Sequence, residues 1–262
     1  MDESLIRRGA ILLLAVAQLM APLLLFPGNF KDQTAKPPLV VETNPATPAG
    51  YAFAIWAVIY VGALVYAIYQ ALPSNAHDAL LQRIGWLTAA GYLLCVGWLL
   101  AARFGPGWMT VPIIVGMLPC LGAAFLIAAR WPESHGATRH AVLLVPLAIY
   151  VGWLSAAAFV NAADVLPGYG FDRFGLSAHA FGVLVVVAAG LLGLAVTLYT
   201  SAYPPYVLTL LWALVAIVAN NGVPARGNSV SNAAALVALA LVIFAVGAWL
   251  PGWRGHPGVR AP

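Results

Sequence analysis

The chain alternates long apolar runs with short breaks of proline, glycine and charge. The runs fall at about residues 9–26, 51–72, 82–103, 108–130, 140–163, 177–199, 204–221 and 230–250. Each is close to the roughly 20 residues that a helix needs to cross about 30 Å of hydrocarbon, and none shows the two-residue alternation of a barrel strand. The pattern predicts an all-α fold, a polytopic transmembrane helical bundle of about eight spans. The seventh run is short and sits between Pro204-Pro205 and "NNGVPARGNS", so it reads as a tilted or re-entrant segment. The first run follows Arg7 and Arg8 but lacks a small-x-small site leading into a soluble region. A retained span is therefore expected, not a signal peptide.

Composition agrees with insertion in a bilayer. Charged residues make up 8% of the chain, hydrophobic ones 63%, and mean hydropathy is +0.91, whereas a soluble domain carries about 25% charged residues. The formal charge of +4 is spread singly over the loops, which argues against a nucleic-acid partner. With eight spans and a cytoplasmic N-terminus, Arg7, Arg8, Arg83, Arg130, Arg139, Arg254 and Arg260 fall on the cytoplasmic side. Lys31, Lys36, Arg103, Arg173 and Arg226 fall opposite, and this small bias predicts both termini in the cytoplasm. Cys95 and Cys120 lie inside apolar runs without a CxxC partner and read as packed thiols.

One loop differs from the rest. Residues 27–50 are long, proline-rich and polar, a semi-rigid segment that is either a plain connector, the favoured reading, or a lid across the bundle mouth. The tail "PGWRGHPGVRAP" reads as a disordered cytoplasmic end.

What the spans lack narrows the function. No Asp, Glu, Lys, Arg or His stands near the middle of a run, which argues against ion pumps, proton-coupled carriers and voltage sensors. His77, His135, His140, His179 and His256 lie in loops or at helix ends, so a bis-histidine haem is not expected. No HExxH, GxSxG, P-loop or paired-carboxylate motif is present, so hydrolytic or phosphoryl-transfer chemistry has no visible machinery. Neutral polar groups remain at depth: Gln18, Thr88, Ser155, Asn161, Thr197 and Thr209, whose default role is helix packing.

Two spans carry aromatic stripes. At 100° per residue, Phe53, Trp56 and Tyr60 fall within about 60° of one another, with Tyr66 and Tyr69 on the other side. On the fifth span Pro146, Tyr150, Trp153, Ala157 and Asn161 fall within about 80°. Tyr51 and Trp108, at span starts, read as interfacial anchors. Trp56 and Trp153 lie deeper, where either helix packing or the lining of an apolar cavity accounts for them. Gly152 and Ala156 form a small-xxx-small pair that invites another helix.

These residues resemble the tryptophan-rich sensory protein family, also called the translocator protein or TspO/MBR family. "TPAGYAFAIWAVIY", with Pro48, Phe53, Trp56 and Tyr60, resembles its second span. Trp153, Ala157 and Asn161 keep the spacing of its fifth, and "KPP" at Lys36–Pro38 is similar to its first loop. Cys95 stands where the family commonly has Asn ahead of Trp98. The chain is longer than the five-span members and resembles a bacterial branch with extra C-terminal spans, which implies a five-helix core over 1–165, a three-helix extension over 166–250 and a tail over 251–262. The resemblance implies a sensory or regulatory protein of the bacterial inner membrane that binds a porphyrin or similar flat lipophilic molecule near Phe53, Trp56, Tyr60, Tyr150, Trp153, Ala157 and Asn161. It implies no required cofactor and no metal. The expected partners are the lipophilic ligand and the bilayer, with a homodimer left open. The alternative is a permease for a lipophilic or amphipathic metabolite, with a discontinuous seventh helix completing its path.

Overall fold

The computed structural model describes residues 3–26, 44–132, 136–222 and 228–250. Among them every predicted run is helical and no strand occurs. The eight spans are α1 (Glu3–Leu25), α2 (Ile55–Ala71), α3 (Ala79–Phe104), α4 (Thr110–Ala129), α5 (Val145–Val165), α6 (Ala178–Tyr199), α7 (Pro204–Asn221) and α8 (Ser229–Trp249). All eight are long and apolar enough to cross a membrane. In a bilayer the helix satisfies its own backbone, so these sequences have no cheaper conformation there.

Two details depart from the periodic reading. The second span opens with a 3₁₀ turn, Gly50–Ala54, whose tighter winding buries Ala52 and leaves Phe53 half-buried. The fifth span begins with a π turn, His140–Leu144, just before Pro146. A proline cannot donate to the carbonyl four residues back and its ring crowds that carbonyl, a strain that a wider turn relieves.

The helices fall into two compact units. Their division runs through the fifth span, between Val151 and Gly152, whereas the family resemblance sets a boundary after it.

The first unit spans residues 1–36 and 53–151. In it α3 packs against α1 and α4, and α1 against α2. Since lipid is as apolar as leucine, such packing depends on close approach and on buried polar pairs more than on a hydrophobic drive. Gly91 admits Leu121 of α4, and a Cβ at Gly62 of α2 would stand 3.1 Å from Pro146 Cβ. Buried Gln70 donates to the Arg8 carbonyl at 3.1 Å, tying α2 to α1. Arg8 in turn donates to the Ala71 carbonyl, one of the orphan acceptors at the α2 C-terminus. Asp78 caps α3 through Leu81 N–H and pairs with Arg139. Tyr66, expected away from the ring-bearing face, is fully buried beside Thr88, with the two hydroxyls 3.4 Å apart. The buried arc of α2 also takes in Ile59 and Ala63, and Tyr66 lies at its edge.

The second unit spans residues 37–52 and 152–262. Here α8 packs against α6 and α7. The close approach expected at Gly152 is made by α7: a Cβ there would stand 2.9 Å from the Tyr206 carbonyl oxygen and from Thr209 Cβ. One turn on, the Ser155 and Tyr206 hydroxyls share a hydrogen bond of 2.9 Å. The seventh run is one continuous α-helix, with Pro204 and Pro205 in its first turn and Asn220 and Asn221 at its end. The discontinuous helix expected of a permease is thus absent, because prolines at the first helical positions cost no hydrogen bond.

From Asn44 onward the first loop is fastened. The Asn44 amide and the Thr47 hydroxyl both donate to Asp164 Oδ1 of α5, at 2.9 and 2.7 Å. Asn220 and Asn221 donate to the carbonyls of Thr47 and Pro45, and Trp212 donates to that of Ala52. Lys36–Pro38 and the tail 251–262 lie outside the described residues, so the expectations placed there are not addressed.

Candidate functional site

Within the first unit, three helices contribute to a cluster of rings. Trp56 and Tyr60 come from α2, Tyr92 and Trp98 from α3 and Tyr150 from α5; all are at most 3% exposed. Trp56 lies between two near-parallel neighbours, Tyr60 at 5.4 Å and 23° and Trp98 at 5.7 Å and 25°. Tyr150 meets the edge of Trp56 at 6.1 Å and 89°, and stacks on Tyr92 at 6.2 Å and 18°. Helical spacing produces this: residues 56 and 60 are one turn apart, and Tyr92, Cys95 and Trp98 recur every three residues along one side of α3. Each ring pair adds about 0.5–1.5 kcal/mol beyond its packing.

Polar atoms are set among these rings. Tyr150 donates its hydroxyl proton to Gln18 Oε1 of α1 at 3.1 Å. That bond uses the amide oxygen and leaves Gln18 Nε2 buried without an acceptor. Trp98 Nε1 is likewise buried without an acceptor. The Tyr60 hydroxyl has no oxygen or nitrogen partner, and the Cys95 thiol beside it is at best a weak one. A donor left unmade when buried costs about 1–3 kcal/mol, so two such groups in one cluster call for acceptors that the described residues do not supply.

The cluster offers π faces and neutral donors. No Asp, Glu, Lys, Arg or His is among its residues, and no group of three metal-ligating side chains occurs among the described residues. Its rings and neutral donors have the chemistry of a surface for flat, polarizable groups with acceptor atoms; no paired acid and base and no activated nucleophile stand among them.

Of the expected site residues, the structure brings Trp56, Tyr60 and Tyr150 together. Phe53 is half-buried one turn before Trp56. Trp153 and Asn161 are buried at 2% and 6% exposure and Ala157 is half-buried. These three continue the Tyr150 stripe along α5 into the second unit. Tyr92, Trp98, Cys95 and Gln18 were not among the expected site residues. The repeat of aromatic and thiol side chains at 92, 95 and 98 was the signal available for three of them.

Architecture and cluster together define a polytopic α-helical membrane protein with a buried, uncharged aromatic site. The chain matches the family described as TSPO-like protein over residues 7–247, through all eight spans, and belongs to that family. Membership makes it a membrane protein of a ligand-binding or transporting kind. No curated protein and no solved structure matches the chain.

Proposed function

We propose that the protein binds a tetrapyrrole, or a molecule equally flat and lipophilic, and acts as a sensory or regulatory membrane protein. One observation carries the reading: Trp98 Nε1 and Gln18 Nε2 are buried donors without acceptors inside a wall of stacked rings. A porphyrin supplies what both features call for, an extended π face for the rings and carboxylate oxygens for the donors. Trp56, Tyr60 and Tyr150 belong to this wall, with Phe53 beside it. Trp153, Ala157 and Asn161 are candidate contacts further along α5.

Titration of the purified protein with protoporphyrin IX, followed by tryptophan emission, tests the proposal. Saturable quenching in the micromolar range or below is expected, weakened in Trp98→Phe and in Trp153→Ala. Emission that falls only linearly with added pigment sinks it.

A further inference from the structure

Arg7 is the one arginine of the spans that is buried: it is 6% exposed, in the second turn of α1. Its side chain lies over Gly85 of α3, where a Cβ would stand 2.8 Å from Nε, so the absence of a side chain at 85 makes its cradle. Buried Nε has no hydrogen-bond acceptor. Asp78, the nearest carboxylate in sequence to this end of α3, is taken up by Arg139 and by the Leu81 N–H. Arg8, with its bonds to the Ser4 and Ala71 carbonyls, shares no carboxylate with Arg7.

The surroundings add positive charge. Among the described residues of the first unit, this end carries Arg7, Arg8, Arg83, Arg130 and Arg139 against Glu3 and Asp78, while the opposite end carries Arg103. Buried Nε leaves one N–H of a charged group unpaired, and a phosphate oxygen is the partner that the planar fork of a guanidinium matches best. Its place in α1 indicates the source of that phosphate. Arg7 stands in the second turn of a helix long and apolar enough to cross a membrane, at the arginine-rich end of the unit, where the phosphates on offer are those of lipid headgroups.

We infer that Arg7 seats the phosphate of an anionic phospholipid. The full-length protein in detergent is heated with dioleoylphosphatidylglycerol, with dioleoylphosphatidylcholine, or with inorganic phosphate. Phosphatidylglycerol is expected to raise the melting midpoint by about 3–6 °C, and phosphatidylcholine and inorganic phosphate by less than a third of that. Arg7→Gln should lose the shift, whereas Arg83→Gln, which removes the same charge from an exposed position, should keep it. An equal shift in Arg7→Gln, an equal response to phosphatidylcholine, or a shift produced by inorganic phosphate alone overturns the assignment. Should Arg7→Gln fail to fold, native mass spectrometry of the unaltered protein decides. One retained phosphatidylglycerol per chain in an equal mixture with phosphatidylcholine upholds the seat, and indiscriminate retention or none refutes it.

Discussion

Trp56 and Trp98 stack face to face from α2 and α3, with ring centroids 5.7 Å apart and planes 25° from parallel. The contact joins a helix that the family resemblance singles out to one where it notes a departure, Cys95. Stacking and polarity can be separated by substitution because Trp98 contributes both a ring and an N–H.

Trp98→Phe keeps a ring and deletes the donor. Protoporphyrin affinity should fall by about three- to tenfold, since one hydrogen bond is worth about 0.5–1.5 kcal/mol, with the melting midpoint unchanged or raised. Trp56→Ala removes the ring at the centre of the stack and should cost about 3–5 kcal/mol of stability. Denaturation in mixed micelles with and without pigment distinguishes the two effects.

Gly152→Ala places a methyl group 2.9 Å from the Tyr206 carbonyl oxygen and Thr209 Cβ. Neither is the loose end of a flexible chain, so α5 and α7 must move apart, at about 1–3 kcal/mol. The melting midpoint should drop by several degrees. Gly97→Ala is the control, because a Cβ there meets nothing within 4 Å.

Asp164→Ala removes the acceptor shared by Asn44 and Thr47, at a cost of about 1–3 kcal/mol. The bonds from Asn220 and Asn221 persist, so the segment should loosen without detaching. Hydrogen exchange at residues 44–49 should quicken in this variant and remain unchanged in Asp172→Ala, whose carboxylate caps only its own turn through the Phe174 N–H.

The arginine-rich end of the first unit is expected to face the cytoplasm. A cysteine introduced at exposed Arg83, in a background with Cys95 and Cys120 replaced by serine or alanine, should react with a membrane-impermeant maleimide only after the cell envelope is opened. Labelling of intact spheroplasts would reverse the assigned topology.

The eight spans were legible because a bilayer imposes one length and one hydrogen-bonding solution, so apolar runs bounded by Pro, Gly and charge translate directly into helices. The burial of Trp56 and Trp153 accords with their place several residues inside the runs. Periodicity on a single helix, however, does not say which helix lies opposite. Tyr66 looked peripheral to the Trp56 face, yet it is buried because its neighbour supplies Thr88. Gln18 looked like a packing residue until Tyr150 was found to occupy only one end of its amide. The 3₁₀ turn at Gly50–Ala54 was not legible, because nothing in the apolar pattern marks a change of winding there. Pro204-Pro205 suggested a break where it marks a beginning.

The Ser155–Tyr206 hydroxyl pair bears on where the chain can be cut. A version stopped after residue 165 would leave the notch at Gly152 open to fatty acyl tails and take away the Tyr206 hydroxyl that Ser155 meets. α7 therefore closes the side of α5 at Gly152, and efforts to obtain a miniature five-span protein from this sequence should begin by refilling that notch.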